Sequence, residues 1–348
     1  MGRIPLSYLA NRLLTLVLTV FIAATLIWLI PRFPCFSWVQ VLFQGLTCVD
    51  PADAALGRMA AGGGSVADSD AILAQLRTTY GLDQSYFTQY WLYLANTLRL
   101  DFGLSTASFP TSVATMIGYA LPWTLGLMLI SLVITFFVGN LLGALMVWER
   151  TPRLWKAAIP AAMVFTSIPP ILSGLLLMYV FSTQLRWFPL SGPYALTVEP
   201  GWTFDFASSV LYHGVLPAMS IVVVTFGFWA LGMRGLMITV QGEDYTTLAK
   251  AKGLRPRYIL YRYMIRNAIL PQITSFALKI GLLVAGQVLV ERIFAYPGMG
   301  KLLYDSILTQ DYPVIQGVSF VIIMMTALSV FLVDLIYPFI DPRIRHGG

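Results

Sequence analysis

The sequence predicts an all-α integral membrane protein with about six transmembrane helices. Of its 348 residues, 57% are hydrophobic and only 11% are charged, whereas soluble domains carry roughly a quarter charged residues. Uncharged runs of about 20 residues, long enough to span a bilayer, recur along the chain. Lys and Arg cluster beside these runs, as the positive-inside rule expects. The net charge of +6 therefore does not indicate a nucleic-acid partner.

The first predicted helix is an uncharged run from Leu13 to Ile30. Arg3 and Arg12 precede it, and positive charge places this end of the helix in the cytoplasm. The segment resembles a signal peptide, but no small-residue cleavage site follows it. Residues 1–31 are therefore interpreted as an uncleaved N-terminal transmembrane helix.

Residues 32–112 are predicted to form a large excursion on the outer side of the membrane. Repeated aspartates and the flexible AGGGS run at Ala61–Ser65 make the region too polar to cross. Trp91, flanked by Tyr90 and Tyr93, predicts a helix that lies at the outer membrane surface.

The only two cysteines, Cys35 and Cys48, lie in this excursion. An outer compartment is oxidising, so a disulfide between them is predicted. Two cysteines are too few for a metal framework, and the sequence predicts no metal site.

Residues 113–337 are predicted to form a five-helix core, and residues 338–348 a cytoplasmic tail. The five predicted spans run from Ile117 to Val147, Ala157 to Thr183, His213 to Met233, Ala268 to Val290 and Val314 to Tyr337.

The third of these spans is interrupted by the sequence SIPP. Two adjacent prolines must break or kink a helix, which frees backbone groups that need partners inside protein or in a water-lined cavity. Ser167, Pro169 and Pro170 therefore mark either a packing kink or a flexible point that lines a pathway.

A polar, basic loop at 238–268 joins the fourth and fifth spans. Asp244 to Lys252 predicts a short exposed helix, in which small Ala249 and Ala251 would let another protein approach closely. Gly253 stands where a helix commonly ends, and Pro256 where a second one can begin. The loop either anchors the chain at the headgroups or docks a partner protein.

The stretch EDYTTLAKAKGL with NAILP downstream resembles the cytoplasmic coupling loop of ABC importer permease subunits, in the dipeptide/oligopeptide branch. Similar runs of that branch are matched by YGLD…DFGLS, by ERIFAYPGMGK…DYPVIQG and by VDLIYPFIDPRIR. The family's signature is Glu-Ala-Ala, three residues and then Gly; aligned on Gly253, Thr247 and Leu248 stand where it has Glu and the first Ala, and Ala249 matches the second Ala. Glu243 and Asp244 are the nearest acids. The resemblance implies a type I importer permease fold. It also implies an ATPase-coupling surface made by Glu243, Asp244, Tyr245, Thr247, Leu248, Ala249, Ala251, Lys252, Gly253 and Arg255.

The resemblance further implies a bacterial inner-membrane subunit with both termini in the cytoplasm. Its expected partners are a second homologous permease, two ATPases that hold ATP and Mg, an outer substrate-binding protein and membrane lipid. The chain itself is expected to bind no cofactor. The expected cargo is peptides or similar small solutes, although proteins resembling this chain also import oligosaccharides, nickel complexes or opines.

Other classes of protein find little support in the sequence. PGMGK, from Pro297 to Lys301, lacks the first glycine and the Ser/Thr of a phosphate-binding loop, since Ala295 and Leu302 stand there. No catalytic motif indicates a membrane enzyme. An ion-coupled secondary transporter usually has internal repeats and several intramembrane charges, and the sequence has no evident repeat.

Lys279 is the awkward residue of the predicted core. It lies eleven residues into the fifth predicted span, roughly 16 Å along a helix. An unpaired charge near mid-membrane costs at least ~2.5 kcal/mol, so it normally faces protein or water. Either Lys279 binds backbone carbonyls or a residue of the partner permease, or it lines the pathway and meets an anionic group of the cargo.

Overall fold

The structure is a computed structural model that describes residues 6–33, 77–78, 83–148, 152–281, 283 and 286–340. In this part of the chain all regular secondary structure is helical, apart from one isolated antiparallel bridge between Leu104 and Ser112. The all-α prediction is therefore confirmed. The predicted disulfide stays a prediction, because Cys35 and Cys48 lie outside the described residues.

Twelve α-helices are numbered here in chain order over the described residues. They are α1 Leu6–Arg32, α2 Tyr86–Leu98, α3 Val113–Val147, α4 Arg153–Ser167, α5 Pro170–Leu177, α6 Phe204–Gln241, α7 Asp244–Ala251, α8 Pro256–Ile259, α9 Arg266–Gly281, α10 Val288–Ile293, α11 Met299–Leu308 and α12 Tyr312–Ile340. Two π-helical turns, Met178–Gln184 and Leu260–Ile265, follow α5 and α8 directly.

Four of the described helices are long and apolar enough to cross a membrane. Their apolar spans are Tyr8–Arg32, Val113–Val147, Phe204–Gln241 and Tyr312–Leu335. A fifth span is added if the bent pair Ile159–Ser167 and Pro170–Gln184 is counted as one crossing. These correspond to the first, second, fourth, sixth and third predicted spans.

The break in the third predicted span occurs at the expected prolines. The helices on either side of it are bent by 101°. Pro170 is the first residue of α5, and Pro169 before it is extended at φ −60° and ψ 140°. Residues that precede proline are disfavoured in the helical region, and at this double proline both Ile168 and Pro169 are extended, which ends the helix. The predicted interruption is thus confirmed.

The fourth predicted span is longer than the sequence suggested. It was expected from His213 to Met233, but α6 runs from Phe204 to Gln241. Thr203 caps its start by accepting a hydrogen bond from the N–H of Phe206 at 3.2 Å. Hydropathy marks only the apolar middle of such a helix, because the polar residues of its ends are compatible with both helix and loop.

The fifth predicted span is shorter than expected. It was predicted to continue to Val290, but α9 ends at Gly281 and a separate helix starts at Val288. Between them, Gly286 has φ +64°. A left-handed residue does not continue an α-helix, and glycine adopts that conformation without a side-chain penalty.

The described residues form two compact units. One unit contains residues 1–122 and 298–331. Its apolar core is built around fully buried Val113, Met299, Val314 and Val318. The predicted surface helix is present as α2, and the hydroxyls of Tyr90 and Thr25 hydrogen-bond at 2.8 Å. The membrane depth of this helix remains a prediction.

A single carboxylate ties two distant loops of this unit together. Asp311, 1% exposed, immediately precedes α12. Its two oxygens accept hydrogen bonds from the hydroxyl of Ser105, from the N–H and hydroxyl of Thr106, and from the N–H of Ala107. Each oxygen therefore receives two donors.

The second unit contains residues 123–297 and 332–348. Its centre is an aromatic cluster in which Phe136 lies 5.2 Å from Trp229 and 4.6 Å from Phe276, measured between ring centroids. Gly139 and Gly143 of α3 let α6 approach closely. A Cβ at Gly143 would lie 2.8 Å from the Cβ of Met233 and would also collide with the carbonyl oxygen of Ala230.

Candidate functional site

The basic loop folds as its residue pattern predicts. Helix α7 begins after Glu243, whose carbonyl accepts the N–H groups of Thr246 and Thr247 at 3.0 and 3.1 Å. It ends at Ala251, and Gly253 follows with φ +70°. A second helix then starts at Pro256. The predicted order of short helix, glycine turn and second helix is confirmed.

One face of α7 is anchored to its own chain. Thr246 is fully buried, and its hydroxyl donates to the carbonyl of Val240 at 2.9 Å. Ala249, 2% exposed, packs into an apolar cluster that includes Met237 and Met264. Helix α7 is thereby fixed both to the end of α6 and to the π-helical turn before α9. Ala249 is consequently not available to another protein.

The opposite face of α7 is open. Leu248 is 55% exposed and Tyr245 36% exposed, one turn apart on the helix. The residues of the predicted coupling surface that are exposed are Glu243, Asp244, Tyr245, Thr247, Leu248, Ala251, Lys252, Gly253 and Arg255. Two large apolar side chains among charged ones, on a rigidly held helix, form a surface suited to protein binding.

The kink residues lie at the surface of the described chain. Ser167 and Pro169 are exposed and Pro170 is half-buried. The hydroxyl of Ser167 donates to the carbonyl of Met163, one turn earlier in α4, at 3.1 Å. The two helices that meet at the kink, α4 and α5, both pack against α6, and a role of the kink in lining a pathway stays a prediction.

Lys279 lies in the last turn of α9, not in the middle of a longer helix. Its ammonium nitrogen is 4.3 Å from the ring centroid of Phe228 and 5.8 Å from that of Trp229, both on α6. Cation–π contact and the negative end of the helix dipole both stabilise a cation here. The sequence interpretation missed this aromatic partner, because spacing along one helix does not indicate which residues of another helix face it.

Sequence reasoning also missed Glu291. This glutamate is fully buried in α10, and its Oε1 accepts the hydroxyl of Thr124 at 2.9 Å. A Cβ at Gly286 would lie 2.7 Å from the same oxygen. Burial, together with the charge of Glu291, raises the pKa of Tyr296 to about 12. The sequence offered one indication of this buried acid, since Glu291 directly follows the uncharged residues 280–290.

Helices long and apolar enough to cross a membrane, together with a short helix that has one anchored and one exposed face, indicate a membrane protein with a surface for a partner. The chain belongs to the family of binding-protein-dependent transport system inner membrane components, whose model matches residues 139–346. It is the permease subunit of a binding-protein-dependent ABC importer, an integral inner-membrane protein that works with other ABC components.

Three relatives cover between 80% and 98% of its length. The glutathione transport system permease protein GsiC of Escherichia coli K12 is 32% identical over 342 residues, 98% of this chain and 99% of that protein. The oligopeptide transport system permease protein AppB of Bacillus subtilis is 32% identical over 80% of this chain and 86% of that protein. A putative peptide permease protein of Brucella suis is 34% identical over 88% of this chain and 92% of that protein.

Proposed function

We propose that the chain forms, with a second homologous permease, the translocation pathway of an importer for short peptides or similar small solutes. The names of the three relatives support this cargo, since they carry oligopeptide, glutathione or peptide. An outer binding protein delivers the cargo. Oligosaccharides, nickel complexes and opines are the competing cargoes.

Coupling to ATP hydrolysis is assigned to α7. The observation that carries this proposal is the division of the helix into two faces. Leu248 and Tyr245 are exposed for a partner, whereas Thr246 and Ala249 bind the helix to the chain's own core. A movement of the partner would therefore be transmitted through this anchored face to α6 and α9.

The partners supply the nucleotide chemistry in this proposal. Two cytoplasmic ATPases bind ATP and Mg and dock on α7, which places α7 and both termini of the chain on the cytoplasmic side. The charge pattern of the loop supports this orientation, because its Lys and Arg outnumber its acids. The cargo moves by alternating access: closure of the two ATPases moves α7, and the transmembrane helices then open the pathway to the outer side.

A transport assay tests the proposal. The complex, purified through a tag on this chain, is placed in vesicles with its binding protein and a labelled tripeptide. We expect uptake with ATP and none with an ion gradient alone, and competition by unlabelled peptides and not by oligosaccharides, nickel complexes or opines. Uptake driven by the ion gradient would overturn the ATP-coupled mechanism. Uptake of a competing cargo in place of peptides would overturn the cargo proposal.

A further inference from the structure

An exposed stripe of α6 runs beside α9, and the strip that these two helices border is called the groove below. On α6, Phe228, Gly232, Gly235 and Thr239 are all exposed and follow one another at helical spacing, so they form a single stripe. Phe228 is 52% exposed. Two of the four positions are glycine, and at Gly235 no other part of the chain lies within 4 Å of where a Cβ would stand, so another backbone can come close there.

Gln272 of α9 borders this stripe. It is 5% exposed, and a Cβ placed on Gly232 would lie 2.7 Å from its side-chain Nε2. No hydrogen bond of the Gln272 amide is found within the described ranges. The amide atoms of Gln272 are not among the enclosed side-chain atoms that lack a hydrogen bond, so the amide reaches the surface and can bind a ligand there.

Lys279 stands at the other end of the same groove. It lies seven residues after Gln272 and therefore on the same face of α9, about 10 Å further along the axis. Its ammonium rests on the exposed ring of Phe228. Within the described residues no carboxylate pairs with it. A Phe ring leaves N–H donors of an ammonium unsatisfied, since Lys carries three of them.

We propose that Lys279 and Gln272 bind the C-terminal end of a transported peptide, Lys279 at its carboxylate and Gln272 at a backbone amide. This inference rests on the proposed peptide function. The distance between the two side chains along α9 matches about three extended residues. The open space beside Gly235 leaves room for the peptide backbone beyond Gln272, and Phe228 holds the ammonium in place. The groove therefore selects peptides with a free C-terminal carboxylate.

The test compares a labelled tripeptide with its C-terminal amide, using the full complex in vesicles with ATP. The quantity measured is the uptake of the free acid divided by the uptake of the amide. The binding protein is the same for every variant, so a change in this ratio between variants reports on the permease. We expect Lys279→Met to lower this ratio about tenfold or more, as loss of a charged hydrogen bond predicts. Lys279→Arg should keep most of it, because Arg retains the charge.

Lys301→Met is the matched control. Lys301 already pairs with Asp305 at 2.6 Å, so its replacement should leave the ratio unchanged. An unchanged ratio in Lys279→Met, even with slower uptake of both peptides, overturns the inference and leaves peptide transport standing. If Lys279→Met slows uptake only in vesicles with anionic lipid, and the acid-to-amide uptake ratio does not change, Lys279 binds a lipid phosphate and the inference is wrong. If the wild-type complex takes up neither peptide, the proposed function fails and this inference fails with it.

A second measurement decides the case in which Lys279→Met does not assemble. A photoreactive phenylalanine is placed at Phe228 in the otherwise wild-type chain and, as control, at Phe137, which is 65% exposed on α3. We expect the free-acid tripeptide to crosslink at position 228 several-fold more than the amide, and neither to crosslink at 137. Equal crosslinking of acid and amide at 228, or crosslinking to the partner permease alone, overturns the inference.

Discussion

The carboxylate of Asp311 accepts a hydrogen bond from the hydroxyl of Ser105, which lies 206 residues earlier in the chain. Both residues are buried. They belong to two separate stretches, DFGLS and DYPVIQG, whose pattern resembles peptide permeases. The two stretches thus form one structural element, the hydrogen-bonded junction of the 105–107 loop with the start of α12.

We expect Asp311→Asn to destabilise the protein by roughly 2 kcal/mol or more, because one oxygen that accepts two hydrogen bonds becomes a donor facing donors. Thermal unfolding of the purified protein, followed by tryptophan fluorescence, measures this. Asp305→Asn is the control. Asp305 pairs with Lys301 on the surface of α11, and such pairs contribute at most about 1 kcal/mol. Equal losses of stability in Asp311→Asn and Asp305→Asn would show that the hydrogen bonds of Asp311 do not stabilise the protein more than a surface ion pair does.

The close approach of α3 and α6 gives a second prediction. Gly143→Ala should lower stability by about 1–3 kcal/mol, because its Cβ would collide with backbone of Ala230 and the helices would have to separate. Gly126→Ala in the same helix has no atom within 4 Å of the new Cβ. It should be neutral or stabilise by up to about 1 kcal/mol. The same unfolding measurement distinguishes them, and a neutral Gly143→Ala would show that the packing is looser.

Two alanines of α7 allow coupling to be separated from folding. We expect Ala251→Arg, on the exposed face, to leave the protein folded and to abolish ATPase association or transport-coupled ATP hydrolysis. Ala249→Arg, on the buried face, should prevent folding, since it forces an unpaired charge into an apolar cluster. Yield, size-exclusion behaviour and copurified ATPase are the measurements. Normal coupling in Ala251→Arg would show that the exposed face is no docking surface.

The disulfide between Cys35 and Cys48 stays a prediction. Closing this loop of about 14 residues would stabilise the fold by roughly 3 kcal/mol in the chain-entropy model. Alkylation of the unfolded, unreduced protein followed by mass measurement should find no labelled thiol. Two labelled thiols would refute the bridge, and a reduced sample that takes up two labels is the control for reactivity.

The proline break and the segmentation of the basic loop could be predicted from sequence because their causes are local. The double proline at 169–170 disfavours helical conformation at the residue before each proline, and Gly253 adopts a positive φ that other residues resist. The end of α9 could not be predicted in this way. GLLVAGQV is apolar throughout, and hydropathy does not distinguish a continuous helix from one that stops at Gly281 and resumes at Val288.

The sequence by itself determined the membrane class, the helical architecture, the family and the short helix of the basic loop, since each depends on composition or on neighbours along the chain. Only the tertiary structure decided that Ala249 turns inward while Leu248 stays exposed, and that Lys279 meets Phe228. It alone joined Asp311 to Ser105. The physical reason is that these outcomes depend on which helix faces which, and helix packing is set by contacts between residues far apart in sequence.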